Sequence, residues 1–323
     1  MNNNQRKPGV KDVLVIHHKS DNDGILSAAL IINYLFSNKH NRIHTLGVDY
    51  DELNNLWKQG VEAMTEKFQK YDGIFMTDMS FNDPAAMQWM HDNVDNLYWF
   101  DHHKPIIEAS KDKFDDIQGI RNTEQSAILC VYQFIYDPEL THVPKILQEL
   151  SDYDSWQWVN KDYEEDYIMA VNTGFTFLSN LSINFWLQNI DNILTENYKQ
   201  LHKDALDKGK TIEKYTSEKY ERMLKISDKT WNAGGEKAVV VFGDNAGTSL
   251  YKSLRNTDIV HGISFKRLEN GNWKVGLCNI NDNCEFDCGQ YLKEKYQGGG
   301  HKGAAGCVIE EDKFIEILKN KSL

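Results

Sequence analysis

The chain of 323 residues lacks the features of a secreted or membrane-spanning protein. Its five cysteines are scattered and odd in number, which argues against a disulfide framework. Its longest apolar stretch, residues 25–36, is too short to cross a bilayer and contains Ser27 and Asn33. Residues 1–10 are polar and have no apolar core of a secretory signal. We therefore expect a reduced, cytoplasmic protein with no membrane partner.

Positive charge is also scarce, since 36 Lys and Arg residues face 48 Asp and Glu residues. The formal net charge is −12. Proteins that bind long nucleic acids usually carry a basic surface, because their affinity comes from neutralising phosphates. The acidic balance argues against a general duplex-binding protein. It permits a small phosphorylated substrate, because bound metal ions add positive charge that the sequence does not count.

Prolines number only five, and no Ser/Gly/Pro-rich tract or internal repeat interrupts the chain. Hydrophobic residues make up 41% and charged residues 26%, which is a globular composition. The length suits two domains, each large enough to bury a core.

The first half of the chain alternates short apolar runs with longer helical patterns. The runs predict strands at residues 13–16, 44–48, 73–77 and 97–100. The longer patterns predict helices at residues 25–36, 52–70, 84–91, 125–136 and 143–150. This alternation is typical of an α/β fold with a parallel sheet and helices on both faces, whose chemistry lies at the carboxyl ends of the strands. We assign residues 1–190 to this domain.

The second half has a different pattern. Residues 191–230 are rich in charge, have spaced apolar positions and no proline, and predict a long connecting helix. Further strands are predicted at 237–242, 259–265 and 273–277, with a hairpin turn at 268–271. A helix at 289–296, a glycine run, a short strand and a last helix follow. Residues 231–323 therefore predict a smaller mixed α/β domain.

Acidic and imidazole side chains are concentrated in four clusters, three of which directly follow predicted strands. The clusters are residues 17–24, 77–79, 101–103 and 152–156. Carboxylates that meet at one sheet edge repel one another, and divalent cations remove that repulsion. A ligand set of oxygen and imidazole without thiolate favours Mn²⁺ or Mg²⁺. Each cluster alone is consistent with an ordinary turn or cap, but their joint occurrence predicts a metal site.

The same residues resemble the four motifs of the DHH phosphoesterases. The motif residues are His17-x-x-x-Asp21-x-Asp23-Gly24, then Asp78, then Asp101-His102-His103, then Asp154. Residues 298–306 (GGGHKGAAG) resemble the signature of the DHH-associated C-terminal domain. The family includes RecJ-type exonucleases, nano-RNases, cyclic-dinucleotide phosphodiesterases and family II pyrophosphatases. Residues 153–158 also resemble the fourth motif of NanoRNase B-type oligoribonucleases.

The resemblance implies two divalent ions, Mn²⁺ or Mg²⁺, of which we favour Mn²⁺. One ion would be held by His17, Asp21 and Asp78, and the other by Asp23, Asp78, His102 and Asp154. Asp78 would bridge the two, and Asp152 stays an alternative to Asp154. His103 would face the substrate or orient a ligand, and Asp101 would accept a hydrogen bond that fixes an imidazole.

The glycine run is the predicted substrate-binding loop, because glycines let the backbone approach a phosphate closely. Its residues are Gly298, Gly299, Gly300, His301 and Lys302. The chain departs from many relatives before this loop, where Gly276-Leu277-Cys278-Asn279 replaces Ser-Leu-Arg-Ser. The guanidinium that would grip substrate is absent there, and Arg267, Lys274 or Lys302 are the alternatives.

Three cysteines and two tryptophans each suggest a further site, with a competing explanation. Cys278, Cys284 and Cys288, with His301, suggest a structural zinc site, which their irregular spacing disfavours. Trp156 and Trp158 would suit stacking on a base, although we favour packing at the domain junction.

These expectations describe a dimetal phosphodiesterase that hydrolyses short oligonucleotides or dinucleotides to mononucleotides with a metal-activated water, in a cleft between two domains. Alternatives are a cyclic-dinucleotide phosphodiesterase, a 3′-phosphoadenosine 5′-phosphate phosphatase and a longer-range exonuclease. From another class, a catalytically silent nucleotide sensor fits the same motifs. No long duplex partner is expected, and the oligomeric state stays open.

Overall fold

The computed structural model describes residues 12–40, 42–110, 113–243, 248–281, 284–300 and 302–323. The chain divides into two compact units, Met1–Glu213 and Lys214–Leu323. The division falls inside a helix within the segment that the sequence predicts as a connecting helix. No helix of the described residues has the length and apolarity needed to cross a membrane.

The first unit contains a four-stranded parallel sheet. Its strands are β1 (Asp12–His18), β2 (Arg42–Val48), β3 (Gly73–Thr77) and β4 (Leu97–Phe100), in the order β2-β1-β3-β4. Its first helices are α1 (Asn22–Ser37), α2 (Tyr50–Lys58), α3 (Val61–Phe68), α4 (Pro84–Asn93) and α5 (Lys104–Ala109). Then follow α6 (Ala127–Ile135), α7 (Lys145–Asp154), α8 (Glu165–Ser179), α9 (Ile183–Leu194) and the beginning of α10 (Lys199–Ile226).

Helices cover both faces of this sheet, which confirms the α/β prediction. Successive side chains of a strand point to opposite faces. Val13 and Val15 of β1 pack in a core with α1, α6, α7, α8 and α9. Leu14 and Ile16 pack in a second core with α2, α3 and α4. The near-continuous apolar run of β1 follows from burial on both faces.

Two departures from the predicted elements have local causes. The single helix expected at residues 52–70 is two helices, because Gly60 adopts φ +103 between them. Helices α8 and α9 were not predicted, although Val171 and Phe175 of α8 and Ile190 of α9 are buried on their inner faces.

Helices α8 and α10 approach so closely that glycine is required on both. A Cβ at Gly174 would lie 1.8 Å from the carbonyl oxygen of Ala205, and a Cβ at Gly209 would lie 1.8 Å from that of Ala170. A Gly-to-Ala change in a helix normally stabilises it by about 1 kcal/mol. At these two positions the added methyl group would overlap the neighbouring helix, so the same change should destabilise the protein.

We expect Gly174→Ala to lower the free energy of unfolding by about 1–3 kcal/mol. Chemical denaturation measures the change. Lys210→Ala, at an exposed position of α10, is the matched control and should leave the free energy nearly unchanged. A stabilised Gly174→Ala protein would show that the two helices do not touch there.

The second unit contains a six-stranded mixed sheet. Its strands are β5 (Asp228–Ala233), β6 (Glu236–Phe242), β7 (His261–Arg267), β8 (Trp273–Asn279), β9 (Gly299–Gly300) and β10 (Ala304–Ile309), in the order β5-β6-β7-β8-β10-β9. Its helices after α10 are α11 (Cys288–Tyr296) and α12 (Glu311–Asn320), with a 3₁₀ turn at Thr248–Leu254. The predicted hairpin is confirmed, since β7 and β8 are antiparallel and Gly271 in their turn has φ +87.

Candidate metal centre

The carboxyl ends of three adjacent strands bring the acidic and imidazole clusters to one sheet edge. β1 ends at His18, just before Asp21 and Asp23, whereas Asp78 follows β3 and residues 101–103 follow β4. Because β3 lies between β1 and β4, Asp78 stands at the centre. The topology therefore explains why one carboxylate can serve ligands from both sides.

One group of four side chains matches the second ligand set predicted from the sequence. Candidate ligand atoms of Asp23, Asp78, His102 and Asp154 all lie within 4.8 Å of one another. The Nε2 atom of His102 is 3.0 Å from Asp154 Oδ2, 3.2 Å from Asp78 Oδ1 and 3.7 Å from Asp23 Oδ2.

Two atoms of this group are buried without an aligned hydrogen bond. Within the described part of the chain, His102 Nε2 and Asp78 Oδ1 are buried and have no aligned hydrogen-bond partner. Orphaned buried polar atoms are costly, and a cation between them removes the cost. Oxygen and imidazole donors are the ligands that Mn²⁺ accepts. The residues therefore fit a divalent ion.

A second group shares Asp78 with the first. His18 Nδ1 lies 2.6 Å from Asp21 Oδ2 and 3.5 Å from Asp78 Oδ2, and these three residues form another potential ligand set. Asp78 belongs to both groups and has φ +54, an unusual backbone conformation that is typical of functional sites.

The structure places His18, not His17, in this second group. His17 is buried, and its Nδ1–H donates to the carbonyl oxygen of His18 over 2.8 Å. The His17 ring also lies against β2, where a Cβ on Gly47 would be 2.9 Å from its Cε1. The predicted role of His17 as a ligand stays a prediction. His18 was missed by the motif reasoning, although its position at the end of β1 was a signal.

Asp101 is a buried anchor for both histidines of its motif. Its Oδ1 accepts hydrogen bonds from the backbone N–H of His102 (2.8 Å) and His103 (3.1 Å), and from His103 Nδ1 (2.7 Å). Its Oδ2 accepts from Trp99 Nε1 over 3.1 Å. The hydroxyl of Tyr50, which no motif indicated, lies 3.1 Å from His103 Nδ1 and 3.3 Å from its Nε2. Asp101 thus has the orienting contacts expected of it.

Asp152 and Asp154 have different surroundings on α7. The Asp152 carboxylate accepts two hydrogen bonds from Lys161 Nζ (2.7 and 2.8 Å) and one from Gln148 Nε2 (2.8 Å). Residues two apart on a helix do not face each other. Asp154 is accordingly the one that reaches His102, and the geometry favours it over Asp152 as a ligand.

Buried charge dominates the electrostatics of this site. Burial raises the pKa of Asp23 well above its usual value, and repulsion from Asp78 and Asp154 adds to this. Asp23 also caps α6, since it accepts from Ser126 Oγ (2.5 Å) and from the backbone N–H of Ala127 and Ile128. Burial and repulsion by Asp21 likewise raise the pKa of Asp78.

Comparison with known proteins identifies one similar curated protein and several solved structures with the same fold. No protein-family model matches it. The curated oligoribonuclease NrnB of Bacillus subtilis (strain 168) is 22% identical over 283 residues, which cover 83% of this chain and 67% of that protein. A solved DHH domain from a member of a ribosomal-protein family aligns with a TM-score of 0.59 at 15% identity, covering 96% of this chain and 85% of that one. The chain has the fold of a DHH domain.

Two further solved structures share the DHH fold. A pGpG-specific phosphodiesterase, PggH of Vibrio cholerae, aligns with a TM-score of 0.53 at 15% identity, covering 96% of this chain and 97% of that one. RecJ of Thermus thermophilus in complex with Mn²⁺ aligns with a TM-score of 0.51 at 12% identity, covering 96% of this chain and 51% of that one.

The three glycines of the predicted substrate-binding loop have different surroundings. Gly299 and Gly300 form β9, paired with Gly306 and Ala305 of β10. A Cβ at Gly298 would lie 2.6 Å from the carbonyl oxygen of Gly306, and Gly300 has φ +146, so packing and conformation explain both glycines. Gly299 is exposed, and a Cβ there would meet no heavy atom within 4 Å. Its backbone is open to a ligand, as is that of Gly303 in the same run.

The charged neighbours of this loop were also predicted to bind substrate. Lys302 Nζ lies 3.0 Å from Glu285 Oε2, and both side chains are largely exposed. His301 lies outside the described residues. All five cysteines are free, and no potential ligand set among the described residues contains one.

Metal binding to this centre should release protons. Burial lowers the pKa of His102, but contacts with Asp154 and Asp78 outweigh it and raise that pKa to about 12. The same balance, with Asp21 and Asp78, raises the pKa of His18 to about 10. Both imidazoles are therefore charged at pH 7 without metal and must lose a proton before they can bind one.

We expect Mn²⁺ binding at pH 7 to release protons from His102 and His18 and from buried carboxyls such as Asp23, and Mn²⁺ affinity to fall as the pH is lowered. Titration calorimetry in buffers of different ionisation enthalpy measures the release. His142→Asn, which replaces an exposed histidine outside the centre, should leave it unchanged. Identical apparent enthalpies in all buffers would contradict this account of His102 and His18.

Proposed function

We propose that this chain is a divalent-metal-dependent phosphodiesterase that hydrolyses short oligonucleotides or dinucleotides to mononucleotides. The observation that carries the proposal is Asp78, a buried carboxylate common to all three potential ligand sets among the described residues, at the carboxyl edge of the sheet. A shared carboxylate is suited to two-metal phosphoryl chemistry, in which adjacent ions act on the same phosphate.

The relatives support the substrate class. NrnB is named an oligoribonuclease, and PggH is named a phosphodiesterase specific for pGpG. The formal net charge of −12 agrees with a short substrate, because a long strand would meet a repulsive surface. We also propose Mn²⁺ as the working ion, supported by the donor set and by the Mn²⁺ complex of RecJ.

Each residue of the centre has a proposed task. The ions, when bound, supply an activated water and neutralise the charge that develops on the phosphate. Asp23, Asp78, His102 and Asp154 would hold one ion, and Asp21 and Asp78 with His18 or His17 would hold the other. The backbone of Gly298, Gly299 and Gly300, with His301 and Lys302, is proposed to bind a phosphate of the substrate.

His103 is the proposed catalytic side chain of the DHH motif, with Asp101 as its orienting partner. Burial lowers the pKa of His103, but Asp101 outweighs burial and raises it, which favours the charged imidazole. Since its Nδ1–H is held by Asp101, its Nε2–H, which lies 3.3 Å from the Tyr50 hydroxyl, is the one that would donate a hydrogen bond to a phosphoryl oxygen. This contact would stabilise negative charge in the transition state.

A substrate panel tests the proposal. Purified protein with Mn²⁺ would be incubated with RNA and DNA strands of about two to twenty nucleotides, cyclic dinucleotides, 3′-phosphoadenosine 5′-phosphate and inorganic polyphosphate. We expect the largest kcat/KM for the dinucleotides, with mononucleotides as products, and no turnover after chelation. Equal rates on long and short strands, or turnover of cyclic dinucleotides or polyphosphate alone, would defeat it.

A further inference from the structure

Trp156 is a large apolar side chain that the protein leaves uncovered. Its side chain is 64% exposed, and that of Val159, in the turn that follows, is 61% exposed. The indole of Trp158 lies 6.1 Å from the Trp156 indole, ring centre to ring centre, and is itself only partly buried. Trp156 therefore presents ring surface to solvent.

The backbone of Trp156 lies close to one residue of the metal centre. Asp154 is the last residue of α7, and Trp156 is two residues further along the chain. Two peptide steps separate the Cα atoms of these residues by at most about 7.6 Å. Because Asp154 Oδ2 is 3.0 Å from His102 Nε2, Trp156 stands next to the group that would hold an ion.

The backbone fixes Trp156 in a conformation that bulky residues rarely adopt. Its φ is +58, in the left-handed region, where Trp is a clear outlier. Its N–H donates to Tyr153 O over 3.3 Å, and its carbonyl accepts from Val159 N over 3.4 Å. The strained turn thus holds the exposed indole at the end of α7, and such strain is characteristic of functional sites.

We propose that Trp156 is a stacking platform for a nucleobase of the substrate. The inference rests on the proposed phosphodiesterase function and narrows its substrate class to nucleotides. A base is separated by one sugar from its phosphate, so a base whose phosphate lies at the metal centre is within reach of an exposed aromatic residue two positions from Asp154. Inorganic polyphosphate has no base that could stack on Trp156, so it would not use this residue. Because every base has a π-face, the platform accepts all four bases and favours purines through their larger overlap.

The kinetic test compares three substrates: an adenine dinucleotide and its two versions with a single abasic position. Trp156→Ala should lower kcat/KM for the intact dinucleotide by about 5- to 150-fold, mainly through KM, the effect of removing one stacked base. One of the two abasic dinucleotides lacks the base that stacks on Trp156. On that substrate, wild type and Trp156→Ala should have the same kcat/KM. Trp156→Phe should keep most of the activity.

Phe36→Ala is the matched control for removal of an exposed aromatic ring. Phe36 is 58% exposed and lies on α1 thirteen residues beyond Asp23, roughly 20 Å along the helix. Phe36→Ala should leave kcat/KM unchanged for all three substrates. A loss in Trp156→Ala that is equal on all three substrates, or absent on the intact one, would overturn the platform.

A binding measurement separates this inference from the proposed function. Wild type with Mn²⁺ should bind AMP about 5- to 150-fold more tightly than ribose 5-phosphate, because only AMP has a base to stack. Trp156→Ala should bind the two equally. If wild type cleaves no dinucleotide, the proposed function fails, and this comparison still decides the platform. Equal binding of AMP and ribose 5-phosphate by wild type would overturn it.

Discussion

Asp78→Asn should lower metal-dependent hydrolysis by about 10³-fold or more. The asparagine keeps the size of the side chain but removes the charge that all three potential ligand sets among the described residues share. Loss of ion-based stabilisation costs several kcal/mol of activation free energy, and each 1.36 kcal/mol is a tenfold change in rate. The measurement is kcat/KM on the best dinucleotide with saturating Mn²⁺.

The same variant should not unfold. Because burial and Asp21 raise the pKa of Asp78, its ionised form is disfavoured in the metal-free protein, and a neutral side chain relieves that repulsion. We expect the melting temperature without metal to be unchanged or higher, and the rise on adding Mn²⁺ to be reduced.

Asp95→Asn is the matched control for Asp78. Asp95 is exposed and lies just before β4, at the amino edge of the same sheet. The Asp95→Asn protein should have the kcat/KM of wild type and the same rise in melting temperature on adding Mn²⁺. Wild-type turnover in Asp78→Asn would refute the bridging role.

Asp154 and Asp152 lie two residues apart on one helix, but their replacement by Asn should affect different properties. Asp154→Asn should lower activity, whereas Asp152→Asn should lower stability. Asp154 Oδ2 is 3.0 Å from His102 Nε2, so its loss removes a ligand and should lower kcat/KM by about 10²-fold or more. Asp152 holds Lys161, so its loss should leave catalysis nearly intact.

Asp152→Asn should instead lower the free energy of unfolding by about 1–2 kcal/mol, since charge-assisted hydrogen bonds are lost. The effect is limited because Lys161 is 43% exposed and regains water. Kinetics and chemical denaturation on both variants complete the comparison. Greater loss of activity in Asp152→Asn would make Asp152 the ligand.

Strand ends were the most informative part of the sequence. An apolar run followed at once by Asp or His predicted the edge where Asp78, His102 and Asp154 meet, because parallel strands end on the same side of a sheet. Sequence spacing was less able to distinguish His17 from His18. Neighbouring residues of a strand face opposite sides, so a one-residue difference in where β1 ends exchanges their roles.

Other features depend on contacts that no local pattern records. Tyr50 touches His103 from a helix 53 residues earlier in the chain. Strand β5 was missed because three of its six residues are exposed and polar, which weakens the apolar signal. The exposure of Trp156 likewise follows from the turn that ends α7, which the sequence does not specify.

Anomalous diffraction from crystals grown with Mn²⁺ is the most direct test of the metal centre. We expect two peaks roughly 3.5–4 Å apart, one on each side of the Asp78 carboxylate. His102 and Asp154 should contact one peak, and Asp21 the other. A single peak away from Asp78, or His102 directed elsewhere with Mn²⁺ present, would contradict a two-ion site at this sheet edge.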